Sequence, residues 1–201
     1  MMLAEGCHDV PPGLLATVVT HLEMVAPPPG GTAPLPSGAV LRRVERPDPE
    51  WYRDLFARIG NDWLWLSRLK TPAPELAAIL GDPLVEVRAL EIDGRAEGLL
   101  ELDFRVPGAC ELAFFGVTRG AQGRGIGRAM MAVAIDRAFA RPIERFTVHT
   151  CTLDSPAALP FYLRTGFRAV RREVDLFQDP RLSGLVPADA APQQPMITVP
   201  R

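Results

Sequence analysis

Val117-Thr118-Arg119-Gly120-Ala121-Gln122-Gly123-Arg124-Gly125-Ile126-Gly127-Arg128 places four glycines in eight residues. The residues before it, Glu111 to Val117, read as a strand. Those after it, Ile126 to Ala140, read as a helix with Ile126, Met130, Val133, Ala134 and Ala138 on one stripe. Glycines at such a junction remove the side chains that would hold a ligand's oxygens away from the backbone. The first turn of the helix adds unpaired N–H groups and the positive end of its dipole. Gln122, Gly123, Arg124, Gly125, Ile126, Gly127 and Arg128 therefore form an anion site suited to a pyrophosphate, with two arginines supplying full charge. A P-loop is excluded because no Gly-Lys-Ser/Thr closes the turn. A Rossmann fingerprint is disfavoured because Gly123, Gly125 and Gly127 are spaced two apart.

Upstream of the turn the apolar period is two. Val85 to Ile92 and Ala96 to Phe104 flank Asp93-Gly94, a strong hairpin signal. Pro107-Gly108 leads into Glu111 to Val117, giving a three-stranded antiparallel meander. Farther upstream, Asp48 suits the N-cap of a helix carrying Trp51, Leu55, Phe56 and Ile59, ended by Gly60. A short helix follows near Glu75 to Leu80, and Val40 to Val44 is a strand. Downstream, Phe146 to Thr152 reads as a strand, Ala157 to Arg164 as a helix with Gly166 at its C′ position, and Phe167 to Val174 as a last strand. At the N-terminus the β-branched run Thr17 to Thr20 marks Leu14 to Met24 as a strand. We divide the chain into an extension, 1–38, whose strand docks on the main body, a domain, 39–180, and a Pro-rich segment, 181–201. The order of elements makes the domain α+β, a mostly antiparallel sheet with helices on its faces.

A second motif lies one strand and one helix beyond the glycine turn: Leu153-Asp154-Ser155-Pro156-Ala157-Ala158-Leu159-Pro160-Phe161-Tyr162-Leu163-Arg164-Thr165-Gly166-Phe167. With Gln122, Gly125 and Gly127, which match Gln/Arg-x-x-Gly-x-Gly/Ala, it resembles the GNAT N-acetyltransferases over roughly Val40 to Val174. It is most similar to a bacterial branch with Leu-Asp-His/Ser-Pro-x-Ala-Leu at this place. The resemblance implies a GNAT-like mixed sheet whose central parallel strands, one ending at Val117 and one spanning Phe146 to Thr152, splay into a V. Acetyl-CoA would lie in that V as co-substrate, its pantetheine arm bonded to the main chain of Phe115 and Val117. Gly116 sits where a bulge would open the strand. Asp154-Ser155 stand where the family usually has an Asn that touches the cofactor arm.

Amide formation from a thioester requires a base for the amine, a donor for the oxyanion and an acid for the thiolate. By its position in the family pattern Tyr162 is the expected acid, a phenol of pKa ~10 facing a thiol of ~8.5. Glu111 is the expected base, with Glu101 and Asp103 as substitutes, and the Val117 N–H is the oxyanion donor. His149 and Cys151 read as structural, because no orienting group for them is visible in the sequence. Trp51, Trp63 and Trp65 either line the acceptor pocket or pack in the core. The expected activity is direct transfer from acetyl-CoA to a primary amine in a ternary complex. A non-catalytic acyl-CoA-binding regulatory module of the same fold is the alternative.

Composition is consistent with this. The net charge is -2 and 47% of residues are hydrophobic, which argues against disorder. The positive charge is almost all arginine, dense from Arg119 to Arg172, with Lys70 the sole lysine. A local basic region suits a small anion better than a nucleic acid, so no nucleic-acid partner is expected. The expected partner is a small-molecule or protein amine. Cys7, Cys110 and Cys151 lack a disulfide or zinc pattern, so no metal is expected, and the cytoplasm is the expected location. No signal peptide or membrane segment is recognised. A homodimer is allowed if Ile197, Val199 or the strand near Val18 completes a neighbour's sheet, the other option being that they cap their own.

Overall fold

Strand β4 (Arg95–Asp103) explains the layering. Leu99 and Glu101 face one way, Leu100 and Leu102 the other, and all four are wholly buried. A strand buried on both faces needs a helix on each. In the computed structural model, which describes residues 4–29 and 33–198, helices α1 (Pro49–Gly60) and α3 (Ala73–Leu80), with the short α2 (Ser67–Lys70) beside α1, cover the Leu99 face. Helices α4 (Ile126–Phe139) and α5 (Ala158–Arg164) cover the Leu100 face. Asp48 caps α1, its carboxylate accepting from the N–H groups of Glu50 and Trp51 at 3.0 Å each.

Among the described residues, seven strands form one sheet. These are β1 (Leu14–Met24), β2 (Ala39–Arg43), β3 (Val85–Ile92), β4, β5 (Ala109–Val117), β6 (Arg145–Cys151) and β7 (Arg168–Gln178). Their order is β2-β3-β4-β5-β6-β1-β7. The meander β3-β4-β5 is antiparallel, turning between β3 and β4 on Asp93 and Gly94, both at positive φ. Among the described residues the only parallel pair is β5 with β6, and it is short: Ala109 to Glu111 face Arg145 to Thr147. Beyond Glu111 the two strands separate, producing the expected V. The fold is the expected mixed, mostly antiparallel α+β sheet.

The bulge in β5 lies at Ala113, between the pairs Leu102–Leu112 and Glu101–Phe114. It does not fall at Gly116, which pairs regularly with Leu99. Gly116 is required for a different reason: a Cβ there would lie 2.6 Å from Ile59 Cγ2 and 3.1 Å from the Trp65 ring.

Strand β1 lies inside the sheet, antiparallel to β6 on one side and β7 on the other. Its Leu22 and Met24 enter the main core against Phe146, Val148 and Phe167. The chain after β7 folds back across the N-terminal helices. Arg181, buried, donates to Asp179 and to the carbonyls of Ala190, Ala191 and Gln194. Val186, Ala190 and Ala191 pack on Leu64 and Leu15. The Gly13 N–H donates to the Ile197 carbonyl at 2.8 Å, so Ile197 caps its own chain. Val199 lies outside the described residues.

Candidate active site

The glycine turn is built as its sequence requires. Gly123 and Gly125 take φ of +77° and +75°, which L side chains avoid, and Gly125 is the N-cap of α4. A Cβ at Gly120, Gly123 or Gly125 would meet nothing within 4 Å, so the turn opens to solvent and to a ligand. Gly127, in the first helical turn, is near only the Phe161 ring tip at 4.0 Å. Arg124 and Arg128 are exposed beside it. Arg119 is tied to Asp62 at 2.9 Å, which joins the turn to the chain after α1.

A cavity of about 760 Å³ runs from this turn through the V. Gln122, Gly123, Gly125, Ile126 and Gly127 line one end, Phe115 to Val117 one wall, and Ser155 and Tyr162 the other. The Thr118 N–H donates to the Glu97 carbonyl on β4 at 2.9 Å. Strand alternation then turns the N–H groups of Val117 and Phe115 away from β4, toward the gap where β6 has left. Buried peptide groups require partners, so this free edge suits an extended ligand with amides of its own.

Tyr162 is buried against Phe115, Phe161 and Phe167 while still lining the cavity. Burial, helped by the Asp154 carboxylate, pushes its phenol above the ordinary range. It therefore keeps its proton across the working pH range. Asp154 also lines the cavity, with both oxygens engaged by the protein. Oδ1 accepts from Trp65 Nε1 at 3.0 Å, and Oδ2 from Thr150 Oγ1 at 2.6 Å and the Cys151 N–H at 2.9 Å. Ser155 Oγ accepts from the Ala157 N–H at 3.3 Å.

The carboxylates separate. Glu101 is sealed off, accepting from Tyr52 and Arg68, and its burial holds the carboxyl above the usual range. Asp103 is held by Arg105, which more than offsets burial and lowers its pKa. Glu111 lies outside the main cavity, in a shallow depression with Asp103 and Arg145. Its Oε1 is 3.1 Å from His149 Nδ1, and His149 does line the cavity. Trp63 and Trp65 line it too, whereas Trp51, on α1 and half-buried, packs against the core. Cys151 lines it, its thiol pushed up by burial and by Asp154. Among the described residues no group of three His, Cys, Asp or Glu is placed to hold a metal. None of their helices is long and apolar enough to cross a membrane.

Residues 47–167, more than half of the chain, match the Acetyltransferase (GNAT) family. The chain belongs to the GNAT acetyltransferase family. Its members are acyltransferases that use acetyl-CoA and act on amine acceptors. Solved structures share the GNAT fold at low identity. A putative GNAT acetyltransferase from Novosphingobium aromaticivorans superposes with a TM-score of 0.56 at 18% identity, over 86% of this chain and 70% of that one. A GCN5-related N-acetyltransferase from Kribbella flavida gives 0.55 at 18%, over 86% and 63%. An aminoglycoside acetyltransferase from an uncultured soil metagenome gives 0.52 at 16%, over 64% and 87%. This chain therefore spans less than two thirds of the Kribbella protein. No curated protein matches it.

Within this GNAT chain the match begins after β2 and ends before β7, yet β1 and β7 both line the cavity, through Thr17, Val19, Asp175 and Phe177. Sequence reasoning missed these residues because no motif marks them. It also set aside His149 for want of an orienting partner, which Glu111 supplies. The signal was present only as period two: His149 alternates outward with Thr147 and Cys151, and so does Glu111 on the neighbouring strand.

Proposed function

We propose that this chain is an N-acetyltransferase that moves an acetyl group from acetyl-CoA to a primary amine by direct transfer in a ternary complex. The carrying observation is one cavity onto which the open glycine turn, the free edge of β5 and Tyr162 all face. When bound, the thioester supplies the acyl group to be attacked. The backbone of Gln122 to Gly127 would hold the pyrophosphate, with Arg124 and Arg128 adding charge. The Phe115 and Val117 main chain would hold the arm, beside Ser155, and the Val117 N–H would stabilise the oxyanion. Tyr162 would donate its proton to the departing sulfur. Direct transfer is favoured, since Cys151, the one cysteine lining the cavity, is partly buried beside Asp154, which disfavours its thiolate. Three free cysteines fit a reducing compartment such as the cytoplasm.

The test is release of CoA thiol in the presence of 2-phenylethylamine, spermidine, glycinamide or a short peptide with a free N-terminus. Wild-type protein should release CoA with at least one of them, together with its N-acetyl product. Tyr162→Phe should lower kcat on the order of 10²-fold, the low end for a general acid because a thiolate leaves tolerably unprotonated. Its acetyl-CoA affinity should be unchanged. Amine-independent behaviour of the wild type, or an unchanged kcat in the variant, would contradict the reading.

A further inference from the structure

Three histidines occur in the chain, and their surroundings differ. His8 Nε2 is bonded to the Ala4 carbonyl, far from the cavity. His21 Nε2 is engaged by Glu173 at 2.7 Å and by Arg171 at 2.8 Å. His149 alone lines the cavity, and its side chain is half exposed there. Its Nδ1 faces Glu111 Oε1 at 3.1 Å, and its Nε2 has no protein partner among the described residues.

The position of this pair in the sheet is specific. Glu111 opposite Thr147 is the last parallel contact before β5 and β6 diverge. His149, two residues on, is the next side chain of β6 on that same face. The pair therefore stands at the apex of the V, on the face opposite α4, where the sheet is open. A carboxylate on Nδ1 fixes the tautomer with the proton on Nδ1 and leaves the Nε2 lone pair free. Glu111 itself lies behind the ring, outside the cavity.

We infer that His149 Nε2 is the proton acceptor for the amine and that Glu111 acts through it as a positioning residue. This rests on the acetyl-transfer reading above. The proton balance closes. A primary ammonium loses two protons on becoming an amide: His149 takes the first, freeing the lone pair that forms the C–N bond. The second leaves the nitrogen as the C–S bond breaks, and the CoA thiolate gains one from Tyr162, which is reprotonated from the nitrogen through solvent. His149 then sheds its proton to bulk water. The groups facing the imidazole are Glu111 on β5, His21 on β1 with Glu173 and Arg171 of β7 behind it, and Cys151 and Asp154 on and after β6. The Glu111 bond is the largest influence, and with the other carboxylates it outweighs burial and holds the imidazolium stable to higher pH than usual.

The test compares His149→Gln with Glu111→Gln, using the best amine of the panel named above. His149→Gln should reduce kcat/KM by about 10²- to 10⁴-fold and abolish the acidic limb of its pH profile, with acetyl-CoA affinity intact. Glu111→Gln should keep that limb and move it to lower pH, because the imidazolium has lost its stabilising carboxylate. The reverse pattern, limb lost in Glu111→Gln and kept in His149→Gln, would overturn the assignment in favour of Glu111 as the base. An activity-independent readout is the NMR titration of the imidazole, identified by its absence from His149→Gln. Its midpoint should fall in Glu111→Gln, and an unmoved midpoint would overturn the pairing. A wild type that acetylates no amine withdraws the acetyl-transfer reading and this assignment with it, a result distinct from a wrong choice of base.

Discussion

Asp154 shows how one atom's chemistry is fixed by its surroundings. Three donors converge on its two oxygens: the Trp65 indole, the Thr150 hydroxyl and the Cys151 N–H. An ionised carboxylate is acceptor-only and satisfies all three, whereas Asn offers one oxygen and a donating NH₂. The departure from the family's Asn therefore has a local cause, and it links the chain above the cavity to the turn after β6. Asp154→Asn should destabilise the protein by about 1–3 kcal/mol, since one donor set loses its acceptor. In a Trp65→Phe background, which keeps the ring contacts with Phe56 and Phe114, that cost should shrink by at least ~0.5 kcal/mol. Equal costs in both backgrounds, measured by urea unfolding, would mean that the indole and the carboxylate do not interact. At this scale the sequence was legible where function is local. The glycine turn and Tyr162 are motifs within a few residues of themselves. The His149–Glu111 pair spans 38 residues and depends on β-strand register, which no single segment encodes.

Elements were legible as elements, less so as neighbours. The meander and the helix after the turn followed from periodicity and turn residues, and the parallel pair from the family resemblance. The slot of β1 did not, because a β-branched run at the N-terminus gives no information about which strands it will join. The bulge was expected at the glycine and occurs at Ala113, since Gly116 is instead set by the approach of Ile59 and Trp65. An interior strand has consequences for stability. Deleting residues 1–26 would unpair one edge of β6 and all of β7, and remove Leu22 and Met24 from the core. Each lost large side chain costs roughly 2–5 kcal/mol, against a typical total stability of about 5–15 kcal/mol. The truncated chain should lack a cooperative melt and show a collapsed amide NMR spectrum. Native-like dispersion with a cooperative transition would contradict the view that β1 is integral to the fold.

At the scale of the whole molecule, the sheet is joined on one side of the V and open on the other, so one cavity reaches from the glycine turn to the uncovered face of β6, β1 and β7. Of the basic region read from the sequence, Arg124 and Arg128 stand at the first of these ends, whereas Arg137 pairs with Glu86 and Arg171 with Glu173 elsewhere. The second end is assembled from β1, β7 and the chain after α1, and apart from Trp63 and Trp65 these segments carry no signal of it in the sequence. The returning C-terminal segment, held by the buried Arg181–Asp179 pair, fixes part of that rim. The central claim, that the glycine turn holds the pyrophosphate of acetyl-CoA, is most directly tested by calorimetric titration of wild type and Gly127→Glu, with NADH and ATP as controls. Gly127 has no positive φ and an added Cβ there meets only the Phe161 ring tip at 4.0 Å, so the variant should fold while placing a carboxylate at the turn. The account predicts micromolar binding of acetyl-CoA alone by the wild type and a loss of about 10-fold or more, at least 1.4 kcal/mol, in Gly127→Glu. Absence of binding by the wild type, or equal affinity in the variant, would contradict it.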